Sequence, residues 1–289
     1  MKNYFLTCCI IFTATLLMTS CKKDNVIDPT TTFDAYFDSK EGSFWIYDNY
    51  VIAQDGDEEF IQKLVLQDTL TQGANKVELG KDAIQMRHRF INPIMSTSTI
   101  ANYLMAEDKN ARKLYVNDEF LKILVPDMLQ EFWNIVFPAK WYLLADAKST
   151  KEWTMDSFLL ADAEMPGPSG MTITLNGHLK FVGKKEKDTT ITTMKSHTYS
   201  LNIFFEGNAI VSVVPYPVPV RIEFKKIDFY LGEKKGLLGL YSPVSNILLT
   251  TEDAAAKLLL AFAGYPNGIV PLPVTLEGFD KRLVDISIK

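Results

Sequence analysis

The sequence predicts a β-dominated α+β fold, an antiparallel and strongly curved sheet or partly open barrel with two main helices. Three observations carry this. Apolar and polar residues alternate over Met171–Phe181, Tyr199–Phe205 and Val218–Phe224, as in strands with one buried and one wet face. Turn signals such as Asp55-Gly56 and Gly232–Gly236 separate runs of this kind. Helical spacing stands out in only two places, after Pro126 and after Glu252.

Taken in order, Ser43-Phe44-Trp45-Ile46-Tyr47 opens an aromatic, β-favouring segment that Asp55-Gly56 reverses into Phe60–Leu66, a first hairpin. Pro126-Asp127 begins a helix with Leu129, Phe132, Trp133, Val136 and Phe137 at helical spacing, stopped by Pro138. Met171, Ile173, Leu175, Leu179 and Phe181 line one face of the clearest strand, and Tyr199, Leu201, Ile203 and Phe205 repeat the pattern. Val218, Val220, Ile222 and Phe224 do so again before the register flips to Ile227, Phe229 and Leu231, which predicts a bulge near Lys225-Lys226. Gly232–Gly236 turns this strand into Leu237–Tyr241. A second helix is expected from Glu252 to Ala263, introduced by Thr250-Thr251 and closed by Gly264; Leu258, Leu259, Leu260 and Phe262 make it apolar on most sides and so well buried. The count comes to roughly ten or eleven strands.

Composition bounds the class. The chain has 289 residues, 47% hydrophobic and 22% charged, with 15 Gly, 13 Pro and 3 Cys, which excludes disordered, collagen-like, coiled-coil and disulfide-scaffold proteins. Residues 1–20 read as a signal peptide: Lys2 supplies the positive start, and the uncharged run Tyr4–Met18 is too short to span a bilayer. Residues 21–35 are a polar tether, and 36–289 form a single β-rich domain; a split into lobes 36–165 and 170–289 at the Pro/Gly-rich Met165–Gly170 stays open. Acidic residues outnumber basic ones by 35 to 30, arguing against nucleic-acid partners. The surplus is uneven: 21–169 is net acidic, and 170–240 is net basic through Lys184, Lys185, Lys187, Lys225, Lys226, Lys234 and Lys235, expected at hairpin tips as a solvated face or a surface for an anionic partner.

The end of the apolar run, Leu17-Met18-Thr19-Ser20-Cys21, resembles the lipobox of bacterial lipoproteins. The resemblance implies diacylglyceryl transfer to the Cys21 thiol, cleavage after Ser20 and acylation of the new amino terminus. The partner so implied is a membrane, held through the lipid, and the address is the cell envelope, with the outer membrane favoured. Since Cys8 and Cys9 would leave with the signal, the mature domain would have no thiol for disulfides, nucleophilic catalysis or metal binding. Tyr36-Phe37 followed by Gly42-x-x-Trp45-x-Tyr47 is similar to the opening of a group of uncharacterised Gram-negative lipoproteins, and Phe229-Tyr230-Leu231 with Gly236–Leu240 is similar to their closing strand and hairpin. That group has no assigned activity.

The sequence offers little recognisable chemistry. His88, His178 and His197 each stand alone in their segments, His88 on the face of Ile84, Met86 and Phe90, so no metal is expected and no cofactor is implied. Asp55–Glu59 is an acidic turn without calcium-loop spacing, and neither a nucleophile elbow nor a phosphate-binding glycine loop occurs. Trp133, Trp141 and Trp153 lie within one short stretch, as core or as a lining for an acyl chain or sugar ring. These observations favour a lipid-anchored, non-enzymatic protein binding a small-molecule, lipid or protein partner. The expected ligand is apolar or amphipathic, held between the sheet and the second helix by residues such as Leu259 and Phe262. By analogy this resembles the lipoprotein-carrier fold, although the helices here come mid-chain and late. A glycan-processing accessory or hydrolase, marked by a carboxylate pair in a cleft, and a structural assembly partner, marked by a flat apolar patch, are the alternatives.

Overall fold

The computed structural model describes residues 35–55, 58–62, 67–92, 97–126, 129–130, 133–211, 214 and 216–289. The first half carries strands β1 (Phe44–Asp55), β2 (Glu58–Gln62), β3 (Gln67–Glu78), β4 (Lys81–Asn92), β5 (Thr97–Asp108) and β6 (Lys113–Val116), then helix α1 (Asp118–Leu124) and β7 (Tyr142–Asp146). The second half carries β8 (Trp153–Pro166), β9 (Thr172–Lys185), β10 (Thr189–Ile191), β11 (Met194–Val211), β12 (Val218–Gly232), β13 (Gly236–Ser242), β14 (Ser245–Thr250), helix α2 (Ala254–Phe262), β15 (Ile269–Leu276) and β16 (Gly278–Ser287).

All pairings are antiparallel, and the main path runs β7-β6-β5-β4-β3-β1-β16-β13-β12-β11-β9-β8. This is a nearly closed, barrel-like sheet with one unsealed seam, as the sequence predicts. The first and last strands pair with each other, Phe44 opposite Ser287, so the chain closes on itself beside β1. The two edge strands, β7 and β8, are consecutive in the chain. Side chains join them where a backbone ladder does not: the Trp153 indole donates to the Leu143 carbonyl at 2.7 Å, and the Lys140 ammonium meets Asp156 at 3.1 Å. Beneath them Phe137, Phe158 and Phe181 stack edge to face with centroids 5.2–5.6 Å apart.

The alternating positions of the long strands point inward as expected. Ile173, Leu175, Leu179 and Phe181 of β9, and Tyr199, Leu201, Ile203 and Phe205 of β11, are fully buried. The predicted bulge is present one residue early, at Phe224, where the register slips between Glu223 opposite Phe204 and Lys225 opposite Ile203.

Several expectations are corrected. Sixteen strands occur among the described residues instead of ten or eleven, because β3, β4 and β16 turn polar side chains inward, Asp68, Gln72, His88 and Lys281, and so break the apolar alternation that marks a strand. Helix α1 is not expected from the sequence and lies ahead of the helix predicted after Pro126. Asp118 and Glu119 in its first turn pair with Lys122 at 3.0 and 2.7 Å, and Phe120, Leu121 and Leu124 form its buried face. Pro126 follows its end, and beyond it residues 129, 130 and 133 are helical, as predicted, with the Gln130 N–H donating to the Pro126 carbonyl at 3.4 Å. Of the helix predicted after Pro126, residues 127, 128, 131 and 132 lie outside the described residues, as do 56–57 and 63–66 of the first hairpin; β1 and β2 nonetheless pair, Asp55 opposite Glu58.

Helix α2 is where the sequence places it, capped by Asp253, whose carboxylate accepts from the Ala256 N–H at 2.7 Å, and followed by Gly264 at φ +92°. It is not well buried. Only Ala256 and Leu260, one turn apart, are buried, so the helix packs through a single stripe.

Candidate functional site

The ladder beside β12 splits. Asp228–Gly232 pair with β13, and Arg221–Glu223 pair with β14, so Phe224–Ile227 has no ladder on that side. The bulge at Phe224 and the departing turn Pro243-Val244 create this interval, and side chains satisfy it. The Ser242 hydroxyl donates to the Lys226 carbonyl at 2.7 Å. The Lys225 ammonium donates to the carbonyls of Pro243, at 3.2 Å, and Glu277. Lys225 is buried, contrary to the hairpin-tip expectation, since the bulge turns its side chain under the neighbouring turn. Burial pushes its amine from the ordinary 10.5 down to about 8, with the Glu277 carboxylate opposing.

Over this interval lies a cleft of about 430 Å³, lined by Asn202, Phe204, Lys226, Ser245, Leu248 and Thr250 among others. It combines an apolar floor with amide, hydroxyl and ammonium groups, the mixture that orients a small ligand. The Arg221 guanidinium stands 3.7 Å from the centroid of the Phe204 ring and pairs with Glu223 at 2.9 Å. Glu223 is the one carboxylate among the described lining residues, so the cleft lacks the carboxylate pair that would mark a glycoside hydrolase.

A second polar cluster lies inside the wall, where β3, β4 and β16 each turn one ionisable side chain inward. His88 Nε2 lies 2.9 Å from Asp68 Oδ2 and 3.0 Å from Lys281 Nζ, and the Lys281 ammonium also donates to Asp68 Oδ2. Asp68 has no exposed surface, His88 5% and Lys281 7%. Burial raises the Asp68 pKa, but the His88 hydrogen bond and the Lys281 charge outweigh it and hold the carboxyl below its ordinary value. Burial, then the Lys281 charge, push His88 down, and burial pushes Lys281 down against the pull of Asp68. The stable arrangement is therefore a carboxylate and an ammonium beside a neutral imidazole. Tyr47 and Phe90 flank the ammonium, with ring centroids 5.5 and 5.3 Å from Nζ. With so little access to solvent, this cluster ties strands together and does not face a substrate.

The two sequence patches that resemble lipoprotein motifs meet at one end of the barrel. Trp45 Nε1–H donates to the Lys235 carbonyl at 2.6 Å, and the Tyr47 hydroxyl donates to the Leu237 carbonyl at 2.7 Å. Gly236 N–H donates to the Tyr36 carbonyl at 2.8 Å, and the Tyr36 and Tyr199 hydroxyls share a hydrogen bond. Glu107 accepts from the Tyr36 and Phe37 N–H groups at 2.7 and 3.3 Å. The patches are thus a packing device that seats the start of the domain.

Of the residues singled out from the sequence, Cys21, the signal and the tether up to residue 34 lie outside the described residues, while Ala35, the last tether position, is buried. Leu259 is half-buried and Phe262 is 83% exposed, on the outer side of α2. The tryptophans do not form one surface: Trp133, Trp141 and Trp153 donate separately to the carbonyls of Glu164, Glu78 and Leu143. His178 approaches Ser157 at 3.3 Å, and His197 approaches Asp188 at 3.1 Å. Among the described residues no three His, Cys, Asp or Glu side chains are placed to hold a metal ion. Sequence reasoning missed the buried triad, whose members lie 20 and 193 residues from His88, and took Lys225 for a surface charge although the register flip beside it was visible.

No protein-family model and no curated protein matches the chain. Among solved structures, it is similar to that of a "putative lipoprotein" from Parabacteroides distasonis, with a TM-score of 0.44 and 8% identity over 88% of this chain and 99% of that one. It is also similar to that of a "putative exported protein with YmcC-like fold" from Bacteroides fragilis, with a TM-score of 0.39 and 10% identity over 88% and 99% of the two chains.

Proposed function

We propose that this protein is an envelope lipoprotein, anchored through Cys21, whose β-rich domain of residues 36–289 binds a small amphipathic ligand in the cleft over the split in β12. The observation that carries the binding role is the interrupted ladder itself. At β12 the sheet opens an interval between two ladders, backs it with a buried lysine and lines it with both apolar and hydrogen-bonding groups. The anchoring role rests on the apolar run ending in Thr19-Ser20-Cys21. One acyl chain holds a protein marginally, and several hold it stably, so a triacylated Cys21 keeps the domain on the membrane.

Native mass spectrometry of the full chain released from envelopes in detergent tests binding. A co-purifying ligand is expected in the wild type and lost in Ser245→Trp, which fills the cleft. Retention of the same ligand by Ser245→Trp would place binding elsewhere. Anchoring is tested separately by labelling with a fatty-acid analogue: Cys21→Ala should carry no label and leave the membrane fraction, and a labelled Cys21→Ala chain would refute it.

A further inference from the structure

The outer wall of β3, β4 and β5 carries a second open cleft, of about 470 Å³, lined by Thr69, Thr71, Arg87, Arg89, Ser98 and Ile100. Its geometry follows from the ladder. Thr69, Arg89 and Ile100 stand in one row across the three strands, and Thr71 and Arg87 in the next. His88, between the arginines, faces the interior, so both guanidinium groups leave on the outside, from Cα atoms about 7 Å apart. Side chains of this length converge readily on one ligand group.

The charge here is unusual for this chain. It has five arginines. Arg221 and Arg282 pair with Glu223 and Asp280 on their own strands, and Arg112 also has a partner. Arg87 and Arg89 are the two that no carboxylate meets among the described residues, and they share one cleft with no carboxylate in its lining. They do so in the acidic part of the chain, where partners are plentiful. Asp48, two strands across and two residues along from Arg89 and so about 12 Å off by ladder spacing, is instead contacted by Gln67 at 3.4 Å. Two guanidinium groups beside three hydroxyl donors, with no acceptor of negative charge among them, form a receptor for a doubly charged oxyanion.

We propose that the Arg87–Arg89 cleft binds a phosphate monoester. The dianion matches the two positive charges, its three terminal oxygens accept two guanidinium forks together with the Thr69, Thr71 or Ser98 hydroxyls, and Ile100 offers a small apolar contact for the esterified group. This site is on the outer surface and independent of the cleft at β12.

Calorimetric titration of the full chain in detergent with glycerol 3-phosphate tests the assignment, with glucuronate as the monoanionic carboxylate probe. Saturable binding of glycerol 3-phosphate is expected, weakening as salt rises and weakened at least about tenfold by either Arg87→Gln or Arg89→Gln. Both positions are exposed, so the variants should unfold at the wild-type midpoint, and that measurement separates lost binding from lost folding. No saturable binding, equal binding by folded variants, or tighter binding of glucuronate would each overturn the proposal.

Discussion

The aromatic ring of Phe37 lies directly over Gly236, a residue 199 positions later in the chain, and occupies the space where a side chain would stand. A Cβ on Gly236 would come within 2.5 Å of the Phe37 ring. The same glycine holds φ at +73°, which ends the turn into β13, and its N–H bonds the Tyr36 carbonyl. One position thus provides the turn, a hydrogen bond and the seat for the first aromatic residues of the domain.

Gly236→Ala is expected to destabilise the protein by about 2–4 kcal/mol, combining backbone strain with overpacking. Gly80→Ala serves as the comparison: Gly80 has φ +74° but nothing within 4 Å of its would-be Cβ, so strain alone should cost about 1 kcal/mol. Denaturant unfolding of both variants checks the difference, and equal losses would show that Phe37 yields freely.

Asp68 and Lys281 make a buried ion pair that joins strands from the two ends of the chain. Lys281→Met should cost about 3–5 kcal/mol, since it leaves a buried carboxylate facing only a neutral imidazole. Replacing both, as Asp68→Leu with Lys281→Met, should recover at least half of the loss, because the desolvation of two charges disappears with them. A double variant no better than Lys281→Met would show that the pair is net favourable beyond its own burial.

The same cluster predicts acid sensitivity. His88 is depressed, so below about pH 6.5 the unfolded chain takes up a proton that the native one refuses, and stability falls as pH drops. Asp68 is also depressed, so its contribution is present above its ordinary value of 3.8 and is lost only as pH falls further. His88→Gln should remove the decline between about pH 6.5 and 5 and leave the lower one. Urea midpoints measured from pH 7 to 3.5 decide it; an unchanged upper slope would mean His88 is protonated in the native state.

Lys225 gives a signal of its own at alkaline pH. With its amine at about 8 in the native state and 10.5 when unfolded, the unfolded chain holds the extra proton between those values, so stability should rise with pH from 8. The rise is at most about 1.4 kcal/mol per pH unit. Above about pH 10 the buried Tyr47 and Tyr103, both held neutral by burial, reverse the trend, since they ionise first in the unfolded chain. Lys281, also lowered by burial, contributes in the same direction, so Lys225→Met should weaken the rise that begins near pH 8, and an unchanged rise would assign the proton to another group.

The sequence by itself determined the class of fold and the strands whose inward residues are apolar. Ile173 to Phe181 and Tyr199 to Phe205 declare a buried face through period two alone, and the flip between Phe224 and Ile227 marks a bulge, because these patterns arise between neighbours along one strand. Helix α2 was legible for the same reason, from Asp253 to Gly264, but its burial was not. The helix buries Ala256 and Leu260 and leaves Leu258 60% exposed, and that depends on where the paired strands β14 and β15 on either side of it in the chain lie, not on how apolar the helix is. Only the tertiary structure decided the sites. Asp68, His88 and Lys281 look like ordinary polar positions until curvature and closure bring three strands' inner faces together. The cleft at β12 exists because two different strands share one neighbour and leave a gap between them. Such pairings join residues tens to hundreds of positions apart, and no local periodicity encodes them.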